Sequence, residues 1–210
     1  MLKVQMENIY KNMPHEKIPW NFEKPPELIL NFLKAEQIKP CKAIELGCGV
    51  GNYVIYLAEQ GFEASGADFS ETAIEMAMKA SKDKGLYCQF ISADVLGDLG
   101  DIQDTYDFVY DWELLHHIFP DSRKKYLTNV SRILNQNGHY LSVFFSEDSS
   151  QFGGKGKYRK TPIDTELYFS SESEMKKVYE PLFKIIELKT VDIAGKFGEH
   201  KAIYAHLKKQ

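Results

Sequence analysis

The sequence predicts an α/β fold built on a doubly wound, mostly parallel sheet that ends in an antiparallel strand. Three observations carry this. Short apolar runs alternate with helix-patterned segments between residues 42 and 145, the pattern of strands joined by right-handed helical crossovers. A glycine-rich turn separates the first of those runs from its helix. The last two runs, Phe183 to Ile193 and Lys201 to Leu207, flank a short Gly-containing turn that only an antiparallel pair tolerates.

Each element has a local reason. Pro25-Pro26-Glu27 opens a first helix, proline being suited to a first turn, with Leu28, Ile29, Phe32 and Leu33 on one face. Lys42 to Gly47 reads as the first strand, and the helix after it stops at Gly61. Phe62 to Asp68 is the second strand. Ser70 caps the next helix, whose Ala73, Met76, Ala77 and Ala80 make a close-packing face. Tyr87 to Ala93 and Tyr106 to Asp111 are strands three and four. A helix starts at Asp121 or Ser122 with Tyr126, Leu127, Val130 and Ile133 inward, and Asn135 to Gly138 turns the chain into strand five, Tyr140 to Phe145. Ser171 and Glu174 form a capping box before a last helix bearing Met175, Val178 and Tyr179.

The bulk numbers narrow the function classes. The 210 residues suit a single domain spanning 1–210. A net charge of −4 gives no global footprint for nucleic acid, and no apolar run has the length of a membrane span. The start of the chain has no signal-peptide core, and three cysteines form no C-x-x-C pair. Both features predict a cytoplasmic protein with reduced thiols.

The chemistry concentrates in Glu45-Leu46-Gly47-Cys48-Gly49-Val50-Gly51-Asn52. Glycines at alternate positions let a ligand lie almost on the main chain. Asp68, at the end of the next strand, is placed to accept hydrogen bonds from a ribose. The dinucleotide fingerprint needs a glycine where Asn52 stands, and a pyrophosphate disfavours the nearby Glu45. A ligand carrying an ammonium and a sulfonium has no such objection. An NAD-dependent reductase is therefore the weaker reading of the same fold, and a sensor or scaffold that binds a nucleoside without turning it over is the alternative from another class.

The motif resembles motif I of the class I S-adenosylmethionine (SAM) dependent methyltransferases, E/D-x-G-x-G-x-G. Their Rossmann-like sheet has seven strands, the last antiparallel, with helices on both faces, and the likeness runs over nearly the whole chain. It implies SAM as methyl donor, S-adenosylhomocysteine as its spent form, and methyl transfer to a small-molecule acceptor by in-line displacement. It further implies that Glu45, Gly47, Cys48, Gly49 and Gly51 meet the amino-acid half of SAM, that Asp68 meets the ribose, and that Phe69, Asp94 and Val95 meet the adenine. Ile18-Pro19-Trp20-Asn21 is similar to the Pro-Trp lid of the thiopurine, tellurite-resistance and halide/thiol groups, which makes residues 1–40 a lid plus first helix. Trp20 would face the sulfonium, a cation–π contact of about 1–2 kcal/mol.

Tyr110-Asp111-Trp112-Glu113-Leu114-Leu115-His116-His117 lies, in that family, between donor and acceptor. Asp111 is then expected to face the donor, and Asp111, Glu113 or His116 to serve as base for an oxygen or nitrogen acceptor. Adjacent helical residues point about 100° apart, and no further ligand follows at i+4, so the His116-His117 pair predicts no metal site. Residues 146–170 are long for a connection. With Lys155, Lys157, Arg159 and Lys160 among glycines, the segment reads as a substrate lid closing over an anionic or electron-rich acceptor. Acceptor identity and oligomeric state leave no spaced motif in the sequence.

Overall fold

A computed structural model describes residues 2–97, 99, 102–196 and 198–210. The strands are β1 (Lys42–Leu46), β2 (Glu63–Asp68), β3 (Gln89–Ser92), β4 (Tyr106–Trp112), β5 (Leu134–Phe145), β6 (Tyr158–Lys160), β7 (Glu166–Tyr168), β8 (Phe183–Gly195) and β9 (Gly198–Lys209). The helices are α1 (Leu2–Asn12), α2 (Glu27–Ala35), α3 (Asn52–Glu59), α4 (Glu71–Asp83), α5 (Pro120–Ile133) and α6 (Glu172–Tyr179). Seven strands share one sheet in the order β3-β2-β1-β4-β5-β9-β8, while β6 and β7 pair separately. β1, β2 and β3 pair in parallel, and β9 runs antiparallel to both β5 and β8. The expected Rossmann-like architecture is therefore the one observed, with its last strand reversed.

The chain packs as two compact units, one ending at Phe108 and one starting at Val109. In the first, Ile44, Leu46, Val54, Leu57, Ala67 and Ala77 are buried between β1, β2 and the helices α3 and α4. The Phe32 ring of α2 lies 5.5 Å from that of Phe108. Ser70 caps α4, its hydroxyl accepting from the Ala73 N–H at 3.1 Å. In the second unit, α5 and α6 bury Tyr126, Leu127, Val130, Met175 and Tyr179, while β5 and β9 bury Val143, Phe144, Ile203 and Leu207.

Four expectations change. The chain has a helix, α1, ahead of the one opened by the prolines; its polar composition hides the short apolar face made by Ile9 and Tyr10. Asn135 to Gly138 are not a turn but part of β5, where Asn137 takes φ 63° and tolerates it as asparagines do. Ser171 accepts from the Glu174 N–H at 3.2 Å, yet the Glu174 carboxylate does not return to the cap. It takes Tyr168, Lys157 and Arg123 instead.

The fourth concerns residues 146–170. Three of their four basic side chains are engaged within this unit. Lys157 meets Glu174 at 2.8 Å, and Lys160 lies 3.8 Å from Asp164. Arg159 is buried and donates to four main-chain carbonyls: Gly156 (2.9 Å), Ser149 (2.6 Å), Gln151 (3.0 Å) and Glu147 (2.9 Å). Its guanidinium also lies 3.9 Å from the Phe169 ring centroid. Arg159 is thus not exposed positive charge, for it satisfies main-chain carbonyls of its own segment, of which Gln151 also accepts from the Gly154 N–H. Arg159→Ala should lower unfolding free energy by about 2–4 kcal/mol, since a bond to a charged donor is worth about 1.5–3. Proteolysis between residues 147 and 157 should quicken with it. Unchanged denaturant midpoints and cleavage rates would contradict this role.

Candidate functional site

The first unit assembles its polar groups at the carboxyl ends of β1 and β2. After Leu46 the chain needs left-handed backbone three times, at Gly47 (φ 74°), Gly49 (φ 51°) and Gly51 (φ 75°), which L side chains resist. The turn is tied to β2 by the Gly47 and Cys48 N–H groups, both donating to the Ala67 carbonyl. A Cβ on Gly51 would lie 2.6 Å from the Phe90 ring, and one on Gly49 would lie 2.7 Å from the Tyr10 hydroxyl. Space and dihedral both demand glycine here.

Asp68 is built into the same turn. Its Oδ2 accepts from the Gly49 N–H and its Oδ1 from the Ser70 N–H, each at 2.9 Å. Burial raises its pKa, and those two N–H donors oppose the rise. Glu45 is buried on the strand that leads in. Cys48 is buried with Sγ against Gly66 of β2, where a Cβ would come within 2.8 Å. Burial, then the Asp68 and Glu45 carboxylates, push the thiol well above its ordinary pKa, so Cys48 stays protonated.

α1 lies across this end of the unit. Glu7 accepts from the Ser70 and Thr72 hydroxyls at 2.6 Å each, which brings its pKa down to about 2. Lys3 pairs with Asp94 Oδ2 at 2.6 Å and stands 6.0 Å from the Phe69 ring centroid. The Trp20 indole donates to the Tyr10 hydroxyl at 2.9 Å. Asn52, the residue that breaks the dinucleotide pattern, donates to Asn21 Oδ1 and the Phe22 carbonyl. Asp94 Oδ1 accepts from the Leu96 N–H, the turn-forming use of an aspartate, and Val95 is buried beside it. Thus Trp20, Glu45, the glycines, Asp68, Phe69 and Asp94 all belong to one compact unit. Tyr10 joins Trp20 as the sequence reading of the lid had it, and Glu7 is the participant that reading did not place, because it belongs to no spaced motif.

These groups suit a cationic nucleoside. Two buried carboxylates beside a side-chain-free turn repel a pyrophosphate and suit an ammonium or sulfonium. The donor set thus fits SAM.

The second unit holds the other candidates. Asp111 is buried with Oδ2 accepting from Tyr126 (2.8 Å) and Tyr140 (2.6 Å) and Oδ1 from Ser142 (2.8 Å). Three hydroxyls of its own unit thus take up the carboxylate. His116 is buried and His117 half-buried, and each Nδ1 lacks a partner among the described residues. Burial first, then the neighbouring His117, His200 and Arg123 side chains, which disfavour a further positive charge, keep His116 well below the usual histidine range. Burial takes His117 down to about 4. Glu113 lies 3.0 Å from His200 Nε2; His200 was not among the sequence candidates, being a lone histidine in a strand.

A doubly wound sheet whose first βα turn is three left-handed glycines joined to a β2 carboxylate defines a nucleoside-binding α/β domain. Residues 43–138 match the family model of a methyltransferase domain. The chain is 24% identical over 179 residues to "Probable thiol methyltransferase 2" of Arabidopsis thaliana, covering 84% of this chain and 73% of that protein. It is 26% identical over 109 residues to "Probable S-adenosyl-L-methionine-dependent methyltransferase TehB" of Haemophilus influenzae, covering 52% of this chain but only 37% of that one. A solved structure from work on conversion of a disulfide bond into a thioacetal group during echinomycin biosynthesis superposes with TM-score 0.83 at 20% identity, over 100% of this chain and 94% of the other. By these matches the chain is similar to the SAM-dependent methyltransferases, the family model covering somewhat under half of its 210 residues.

Asp111 gives a pH signature. Burial pushes its pKa up to about 6 from 3.8, against the pull of the Tyr140, Ser142 and Tyr126 hydroxyls. A raised acid binds its proton more tightly in the native state, so stability falls as pH rises between those two values. Relative to Asp111→Asn, the wild type should lose about 3 kcal/mol between roughly pH 4 and pH 7, at 1.36 kcal/mol per pKa unit. Denaturant unfolding of both proteins at the two pH values checks this; parallel profiles would refute it.

Proposed function

We propose that this chain moves the methyl group of SAM to a small-molecule acceptor, with SAM held by the first unit. The observation that carries the reading is the Gly49 N–H donating to Asp68 Oδ2 at 2.9 Å within a left-handed glycine turn. SAM supplies, when bound, an electrophilic methyl on a sulfonium whose positive charge disappears on transfer. The residues' work is to bind, align and exclude water. The glycine turn leaves the main chain open to the amino-acid half, the second lone pairs of the Asp68 oxygens are the acceptors for ribose hydroxyls, and Glu45 supplies negative charge within the strand. Phe69 and Asp94 flank the adenine position.

α1 is the lid of the 1–40 segment. Glu7 latches it to the start of α4, and the linked Tyr10 and Trp20 close it over Gly49. Alignment and water exclusion of this kind supply up to about 7–11 kcal/mol, and the reaction needs no protein nucleophile. The protonated state of Cys48 is consistent with that.

A small acceptor is supported by the net charge of −4 and by the internal use of Arg159 and Lys157, which takes cationic surface away from a nucleic-acid partner. One relative, "tRNA N(3)-methylcytidine methyltransferase Mettl2" of Drosophila melanogaster, is 28% identical, with 53% of its length matched. Three free cysteines support work in the reducing cytoplasm, and among the described residues no helix is long and apolar enough to cross a membrane.

Calorimetry with SAM and NADH in parallel tests the cofactor; NADH binding without SAM binding would overturn the reading. Methyl-labelled SAM with a panel of thiols, halides, amines, phenols and tRNA tests the acceptor, and transfer to tRNA alone would exclude a small molecule. Asp68→Ala should raise the SAM dissociation constant about 10–100-fold, as loss of a charge-assisted hydrogen bond does. Glu7→Ala should raise it about tenfold, chiefly through faster release, read by stopped-flow tryptophan fluorescence. An unaltered release rate would remove Glu7 as the latch.

A further inference from the structure

Glu113 follows β4 at its carboxyl end, the side on which open α/β sheets place ligands. It takes φ 56°, a left-handed conformation that costs a side-chain-bearing residue about 1–3 kcal/mol. Its N–H donates to the Val143 carbonyl at 2.7 Å, which holds that turn. Glycine or asparagine would sit there more easily, so the position is occupied for its side chain rather than its backbone.

That side chain reaches His200. Glu113 Oε1 lies 3.0 Å from His200 Nε2, with the two side chains 16% and 6% exposed. β9 delivers the histidine: its register sets Ala202 against Phe145, which places His200 beyond the carboxyl end of β5. Gly195 of β8 makes room, because a Cβ there would come within 2.8 Å of His200 Nδ1. The Phe145 ring, 4.7 Å away, packs against the imidazole. Two strands, a strained residue and a glycine thus converge on one contact. Glu113 Oε2 takes no hydrogen bond among the described residues.

The other candidate bases are less available. Asp111 accepts from three hydroxyls, and His116 is enclosed against Phe145 at 4.8 Å. Phe145 also meets Phe169 at 4.9 Å and Phe152 at 5.8 Å, so the imidazole of His200 is backed by a buried aromatic cluster.

We propose that Glu113 is the general base for the acceptor, that His200 is the positioning residue that holds it, and that the acceptor is a protic nucleophile. This rests on the methyl-transfer reading above. His200 Nε2–H donates to Oε1 and fixes the carboxylate, leaving Oε2 to take the proton as the acceptor's X–H bond breaks. The electron pair freed on X forms the bond to the methyl carbon, and the pair of the breaking C–S bond goes to sulfur. A cation and a carboxylate become a neutral thioether and a carboxylic acid, which returns its proton to water.

The test uses 2-naphthol as a protic probe and iodide as a nucleophile with no proton to lose. Glu113→Gln should lower kcat for 2-naphthol by about 10²–10⁴-fold with KM within about threefold, while iodide transfer falls less than about tenfold. His200→Ala should lower 2-naphthol turnover at least about tenfold, and His200→Gln, whose amide N–H replaces Nε2–H, should restore it to within about threefold of wild type. Thermal midpoints of the three variants separate misfolding from chemistry, and the glutamine variants carry the test if the alanine one unfolds. Equal losses on both probes, no loss in Glu113→Gln, or His200→Gln as slow as His200→Ala would each overturn the assignment. So would a wild type that binds SAM and methylates iodide but not 2-naphthol, or methylates neither. A wild type that does not bind SAM would instead bring down the cofactor reading itself, which calorimetry distinguishes.

Discussion

The hydrogen bond from the Gly49 main chain to Asp68 is the constraint on which the first unit's chemistry turns. It joins the loop after β1 to the end of β2, so the acid and the bare backbone keep fixed positions relative to each other. Removing Cβ at Gly49 and Gly51 permits the approach of Tyr10 and Phe90 respectively. The Ser70 N–H completes the carboxylate's coordination, and Ser70 in turn caps α4 and donates to Glu7. One aspartate thereby links turn, strand, the start of α4 and, through Ser70, α1. The raised pKa that burial gives it is tolerable because two N–H donors favour the ion.

The second unit solves a different problem. Asp111, Tyr126, Tyr140 and Ser142 form a polar knot in a hydrophobic interior, each hydroxyl satisfied by the same carboxylate. Arg159 does the corresponding work in the 146–170 segment, gathering four carbonyls around one cation. Such networks specify a single arrangement, since any slip leaves a buried charge unpaired. Glu113 and His200 stand apart from them, held by strain and steric allowance rather than saturation.

What the sequence disclosed follows from this difference. Strands, the glycine turn, Asp68 and the Ser70 cap were legible because each depends on a local rule: periodicity, missing side chains, a cap three residues from its partner. α1 was not, because its apolar face is only a turn or so long and its fixing contacts come from residues about sixty positions away, as Glu7 with Ser70 and Thr72 shows. The partners of Asp111 were illegible for the same reason. Its strand-end position is a local fact, but Tyr126, Tyr140 and Ser142 reach it through the fold. Arg159 looked like surface charge because four consecutive-sounding basic residues and glycines describe a solvated loop equally well. His200 carried no signal at all, as its meaning depends on Gly195 and Glu113.

The burial of Cys48 has a chemical consequence of its own. A thiolate is among the softest nucleophiles a polypeptide offers, and a sulfonium methyl donor alkylates such sulfur readily. This chain carries a cysteine inside the loop that we propose holds its donor. With Sγ packed on Gly66 and kept as the thiol by burial and two neighbouring carboxylates, that sulfur is a poor target, and the protein is guarded against inactivating itself by its own reagent.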